Sequence, residues 1–301
     1  MAYVDVDGGA TGPLRCAYAP CTRRRSGRIG SDPGGGTLDG IARLTDHAPS
    51  VVVGRLDDPH ASAVVAAVQA RDGHLVIVDA EQLSLADIYL TEDRVELPDV
   101  TGALTELSGG RGWLRRLAPQ DWQADLIAGQ HDAVVRSAWV SALLAVCVIA
   151  DLQWLSPLGV LFAAEEKLVQ QRACRTLGID FPTTVVVTRP DRIPADLGDR
   201  LVVKPLGVGH YRDAADLPLD WRADEGAHSS FRPGSYPAIG DRAVALAARL
   251  GVGYSSQDWI IDSAGNSTFL DLNPAGQWLF LPEQTACAVT GAIAGWLTGQ
   301  G

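Results

Sequence analysis

The chain is poor in lysine. Of its 25 basic residues only Lys167 and Lys204 are lysine, and the rest are arginine. A bias towards arginine explains the missing lysines but not where two of them remain. An ammonium is a compact point charge suited to a phosphate, so both positions are candidate phosphate contacts. Positive charge is scarce altogether, with 36 acidic residues and a net charge of −11. That argues against a non-specific nucleic-acid binder or a protein held to an anionic membrane.

Long apolar runs are missing too. The longest, residues 138–150, contains Ser141 and stops at Asp151. It is too short to span a bilayer and reads as a helix buried on nearly all sides. The N-terminus carries Asp5 and Asp7 and no apolar h-region. The expected setting is therefore soluble and cytoplasmic. Cysteines are few, odd in number and scattered, at 16, 21, 147, 174 and 287. Cys147 and Cys174 sit in apolar stretches as small core residues. Cys16 and Cys21 lack the second Cys/His pair of a zinc site. No Gly-x-Gly-x-x-Gly follows a strand, so the dinucleotide fingerprint is absent.

What is present describes a globular protein. Its 301 residues are 47% hydrophobic and 20% charged, enough chain for about two domains. Residues 1–47 stand apart, with the run Arg23-Arg24-Arg25 and the breaker-rich Asp32-Pro33-Gly34-Gly35-Gly36. They are expected to form a flexible extension. From Val51 strands and helices alternate. Val51–Val53 and Leu75–Val78 read as buried strands, and Asp58-Pro59 starts the helix between them. That spacing predicts a small parallel α/β domain over 48–118. Residues 119–301 are assigned to a second, α+β domain. It holds a helix over 159–177 closed by Gly178 and strands at 184–188 and 201–204. A helix over 241–250, a hairpin at 258–272 and a last helix over 282–297 complete it.

The hairpin carries the hard ligands. Asp271 and Asn273 are two apart on one strand and so share a face, while Asp258 lies on the paired strand. Two carboxylates and an amide oxygen suit a magnesium ion that keeps waters and takes phosphate oxygens. The bland alternative is a solvated hairpin with polar outer residues. Lys204 ends an apolar strand before the loop Gly207-Val208-Gly209, where loop amides could help hold a phosphate. It could equally be a snorkelling strand-end lysine. Lys167 follows Glu165 and Glu166, and a salt-bridged surface helix would explain it as well. Arg222 could meet a phosphate or a substrate carboxylate, or be structural. His210 and His228 read as loop histidines. No Ser/His/Asp or Cys/His set competes for a nucleophilic role.

In order, these pieces run from a lysine helix through Leu177-Gly178-Ile179-Asp180-Phe181-Pro182 and Val202-Val203-Lys204-Pro205 to Asp258. They end in Asp271-Leu272-Asn273-Pro274-Ala275-Gly276-Gln277-Trp278. The arrangement resembles the ATP-grasp ligases, most of all the graspetide (microviridin-type) macrocyclases that mature ribosomal peptides. The resemblance covers roughly Val51 to the C-terminus. It implies an ATP-grasp-like α/β fold with a pre-ATP-grasp domain; the sequence departs from the family's pattern in a lid expected to be shortened between residues 209 and 220. It implies Lys167, Lys204 and Gly207 at ATP, Asp258, Asp271 and Asn273 at Mg2+, and Arg222 near the chemistry. The implied activity is ATP-dependent ligation of a peptide carboxylate to an amine or hydroxyl through an acyl phosphate. A precursor peptide is the implied partner, a homodimer is left open, and neither nucleic acid nor membrane is expected. Two other readings stay open, a catalytically degenerate relative that binds a peptide or protein and a small-molecule ligase of glutathione-synthetase type.

Overall fold

The computed structural model describes residues 2–6, 15–18, 48–79, 82–83, 87–117, 127–197, 201–205 and 236–300. In chain order the first strands are β1 (Ala2–Val6), β2 (Arg15–Tyr18), β3 (Ser50–Val53) and β4 (Leu75–Val78). They are followed by β5 (Tyr89–Leu90), β6 (Val95–Pro98), β7 (Leu104–Glu106), β8 (Ser108–Leu114) and β9 (Asp151–Trp154). The last four are β10 (Thr184–Val187), β11 (Leu201–Pro205), β12 (Ser256–Ile261) and β13 (Ser267–Asn273). The helices are α1 (Pro59–Gln69), α2 (His131–Ile149) and α3 (Leu158–Glu165), then α4 (Lys167–Leu177), α5 (Pro237–Leu250) and α6 (Glu283–Leu297). Contacts divide the chain into two compact units.

The larger unit spans residues 20–163, 251–256 and 274–301. Its main sheet has the order β4-β3-β8-β9, and all three pairings are parallel. Val51, Val52 and Val53 are fully buried, as a strand with covered faces requires. Gly112 of β8 is needed where the Trp154 ring crosses it, because a Cβ there would lie 2.6 Å from the ring. The β-α-β unit at its start is as the sequence predicts. Asp58 caps α1, its Oδ1 accepting from the His60 amide at 2.8 Å, and Pro59 takes the first helical position. A separate antiparallel meander, β5-β6-β7, has strands of two to four residues. These are too short for a period-2 pattern to show in the sequence.

Helix α2 departs from expectation. Only Leu143, Val146 and Cys147 are buried, while Val134 and Val148 are 61% and 74% exposed. By length and composition α2 is long and apolar enough to cross a membrane, with 17% of it buried. Its inner side joins Val51, Val76, Leu114 and Leu161 in one core. Cys147 is buried there, and desolvation pushes its thiol up to about 12.

The smaller unit spans residues 1–19, 164–250 and 257–273. One sheet has β1 between β10 and β11, antiparallel to both, and the other has the order β13-β12-β2. The described parts of the expected extension over 1–47, Ala2–Val6 and Arg15–Tyr18, are thus strands. The rest of it, the Arg23–Arg25 run included, lies outside the described residues. The single helix expected over 159–177 is two helices. Glu166 takes an extended conformation (φ −75°, ψ 116°) and becomes the N-cap of α4. Gly178 closes α4 in the left-handed region at φ 64°, as the sequence predicts. Cys174 lies fully buried on α4, its thiol also pushed up to about 12 by burial.

Candidate active site

The break at Glu166 gives Lys167 its position, because Lys167 becomes the first residue of α4. A cation gains nothing from the positive end of a helix dipole, so helix stability does not ask for lysine there. Its ammonium is instead held by Asp271, Nζ donating to Oδ1. Both side chains are about one-third exposed, so the pair faces solvent and is open to a ligand.

Strands β12 and β13 are neighbours joined by five residues, which only an antiparallel hairpin permits. The Asp262 amide donates to the Asn266 carbonyl at 3.0 Å and closes the turn. The buried side of the hairpin carries Gln257, Trp259, Ser267 and Phe269. Trp259 and Phe269 meet edge to face, with centroids 5.5 Å apart. The Gln257 amide donates to the Ala243 carbonyl at 2.9 Å, and Arg242 to Ser267 Oγ at 2.8 Å, so α5 covers this side.

Strict alternation along β13 would put Asp271 on the buried side with Phe269. It does not, because the phase slips by one residue. Burial alternates from Ser267 to Leu270, then Leu270 and Asp271 are both half-buried, Leu272 is buried and Asn273 exposed. Two amides three residues apart confirm the slip. Phe269 N–H donates to the Asp180 carbonyl at 2.8 Å and Leu272 N–H to Gln170 Oε1 at 3.2 Å. Both therefore point away from β12, where a regular strand would alternate them. The slip has the effect of a β-bulge, re-aiming one side chain. Asp271 and Asn273 leave on the exposed side, the side to which Asp258 projects from β12.

Among the described residues no group of three His, Cys, Asp or Glu side chains could hold a metal. The set here is two carboxylates and an amide, all hard oxygen donors on one face, and that chemistry fits magnesium. Lys204 lies on β11 in register with Tyr3 of β1. Gly207, Arg222, His210, His228 and the segment 209–220, where a shortened lid is expected, lie outside the described residues.

Three supports around this motif escape sequence reasoning. Gln170 of α4 is fully buried, its Nε2 donating to the Leu272 and Ala164 carbonyls, each at 2.7 Å. In the larger unit the segment following Asn273 has its own brace. Arg115, 2% exposed, donates through Nη1 to the Ala275 carbonyl and through Nε to Asp58 Oδ2 at 3.0 Å. His60 Nε2 accepts from the Trp278 and Leu279 amides at 3.1 and 3.3 Å, so its proton sits on Nδ1, facing Asp58 Oδ1. Burial alone would raise the Asp58 pKa. The His60 hydrogen bond and the Arg115 charge outweigh it and hold the carboxyl far below the usual range.

A scan of protein-family models and a search of curated proteins find no match to this chain. Solved structures do match it. The macrocyclase MdnC of Microcystis aeruginosa MRC, bound with the precursor peptide MdnA, superposes with a TM-score of 0.62 at 16% identity. That match covers 82% of this chain and 98% of MdnC. A ribosomal-peptide-associated ATP-grasp ligase of Chryseobacterium gregarium, with ADP and leader and core peptide, gives 0.63 at 14% identity, covering 84% and 97%. The ATP-grasp ligase PsnB, complexed with minimal precursor, Mg and ADP, gives 0.59 at 17% identity, covering 84% and 98%. The fold is that of the ATP-grasp ligases. On an ATP-grasp frame the two expectations that mattered most, the α/β fold and the hairpin that carries the acidic residues, stand as the sequence predicts.

Proposed function

We propose that this protein is an ATP-dependent ligase that joins a peptide carboxylate to an amine or a hydroxyl through an acyl phosphate, in the maturation of a ribosomal peptide. The observation that carries the reading is Lys167 held on Asp271, on the hairpin face shared with Asp258 and Asn273. An exposed ammonium beside hard oxygen donors serves to bind a polyphosphate with its cation. Supporting it, similar folds in the comparison belong to a macrocyclase and to ATP-grasp ligases solved with precursor peptides, the ligases also with ADP, AMPPNP or Mg.

In this reading Lys167, Lys204 and the loop at Gly207 take the phosphates, and Asp258, Asp271 and Asn273 hold Mg2+. Bound magnesium supplies neutralisation of phosphate charge. The substrate carboxylate takes the γ-phosphoryl group and ADP leaves. The amine or hydroxyl then displaces phosphate from the acyl phosphate, giving an amide or ester with net loss of one water. The chain's own task is positioning and charge stabilisation, since no protein nucleophile is needed. Arg222 is assigned to the transferring phosphoryl group or the substrate carboxylate. The protein acts on its precursor peptide in the cytoplasm.

Calorimetric titration of Mg-ATP into wild type, Lys204→Met and Asp271→Asn tests the binding half of this reading. Binding that both substitutions abolish supports it, and none at millimolar ATP overturns it. Incubation with candidate precursor peptides and ATP tests the chemistry, with loss of 18 Da per bond formed as the expected signal.

A further inference from the structure

A fully buried glutamine on a helix is an uncommon choice, and Gln170 uses nearly all its hydrogen-bonding capacity. Its Nε2 donates to the carbonyls of Leu272 and Ala164, and its Oε1 accepts from the Leu272 amide. Leu272 is the residue between Asp271 and Asn273, at the phase slip of β13. A slipped residue loses its ladder partner, and its orphaned N–H and C=O must be satisfied elsewhere. Gln170 supplies both partners at once. Ala164, in the last turn of α3, contributes a helix-end carbonyl that needs a donor of its own.

We infer that Gln170 is a positioning residue which, by clamping both backbone groups of Leu272, holds Asp271 and Asn273 on the face they share with Asp258. The inference rests on the proposed function, which makes that face the metal-binding one. Chemistry restricts the residue type. Methionine has a similar length and neither donates nor accepts well. Glutamate keeps the acceptor for the Leu272 amide and, ionised, loses both donors. With the clamp gone, β13 is free to return to regular alternation, which carries Asp271 towards the buried side.

The test uses the full chain as wild type, Gln170→Met and Gln170→Glu. The probes are Mn2+ in the presence of ADP, followed by electron paramagnetic resonance, and ADP in EDTA. Loss of an outer support typically weakens metal binding roughly 10- to 100-fold. The expected result for Gln170→Met is Mn2+ affinity down at least 10-fold, with metal-free ADP affinity within twofold of wild type. Gln170→Glu should lie between them, and amide exchange at Leu272 should speed up in Gln170→Met. A merely structural role would lower both affinities together, and that result overturns the inference. So does a folded Gln170→Met variant with wild-type Mn2+ binding, or the failure of both variants to fold. If wild type itself binds no Mn2+ with ADP, it is the proposed function that fails.

Discussion

Two braces grip neighbouring stretches of one motif, and they are made of different chemistry. Leu272 is held by a neutral amide, Gln170, while Ala275 to Leu279 are held by the ionic set Asp58, His60 and Arg115. Both grip backbone and neither reaches the exposed donors. The amide brace contains no titrating group, so acid does not weaken it directly. The ion pair of the ionic brace, Arg115 with Asp58, makes the stronger individual bonds, but each of the two depends on the charge of the other. Arg115 shows the cost. Burial draws its pKa below the ordinary guanidinium value, Asp58 opposes that, and among the described residues its buried Nη2 finds no hydrogen-bond partner.

The largest effect should come from cutting the ionic brace. Arg115→Met removes the Nε donor of the half-buried Asp58 carboxylate and the Nη1 donor of the Ala275 carbonyl, and should cost about 3–5 kcal/mol, read as the urea midpoint of the larger unit. A cost below about 1 kcal/mol would mean that the brace is dispensable. Next, Gln170→Met leaves three buried backbone groups unpaired and should cost about 2–3 kcal/mol, with its urea transition no more acid-sensitive than that of wild type.

Acid separates the braces. The Asp58 pKa is depressed on folding, so its contribution is complete above the unfolded carboxyl value near 3.9 and is lost as pH falls through the lower folded value. Wild-type stability should therefore fall steeply below about pH 4, and Asp58→Asn should flatten that limb while lowering stability at pH 7. Equal slopes in the two proteins would remove Asp58 from the account. The smallest effect concerns the helix that presents Gln170. Gly178→Ala meets no atom within 4 Å but must adopt φ 64°, and should destabilise the smaller unit by about 1 kcal/mol, read as a lower melting midpoint.

Features written in few residue types were legible in the sequence. The Asp58-Pro59 helix start, the Gly178 cap, the valine strand at 51–53 and the hairpin around Asp262 all rest on local propensity. What escaped depends on tertiary partners. The break at Glu166 carries no glycine or proline, so the run from 159 to 177 reads as one helix. The slip at Leu270–Asp271 has no signal of its own, since it exists only where Gln170 satisfies the freed backbone. Exposure of α2 was misread because apolar residues all around a helix are the usual mark of burial. Lys167 and Asp271 were separate candidates 104 positions apart, and the fold joins them.

The slip in β13 also makes the hairpin sensitive to parity. Residues on either side of it reach the exposed face by odd and even counts respectively, so the face is set by how many residues separate Phe269 from Asp271. The turn between Asp262 and Asn266 lies on the far side of the slip, at the exposed tip of the hairpin. Codons added there would lengthen a loop and leave the donor face alone. One codon removed between Phe269 and Asp271 would take the slip away, and regular alternation would then leave Asp271 and Asn273 on the exposed face with no freed backbone for Gln170 to satisfy.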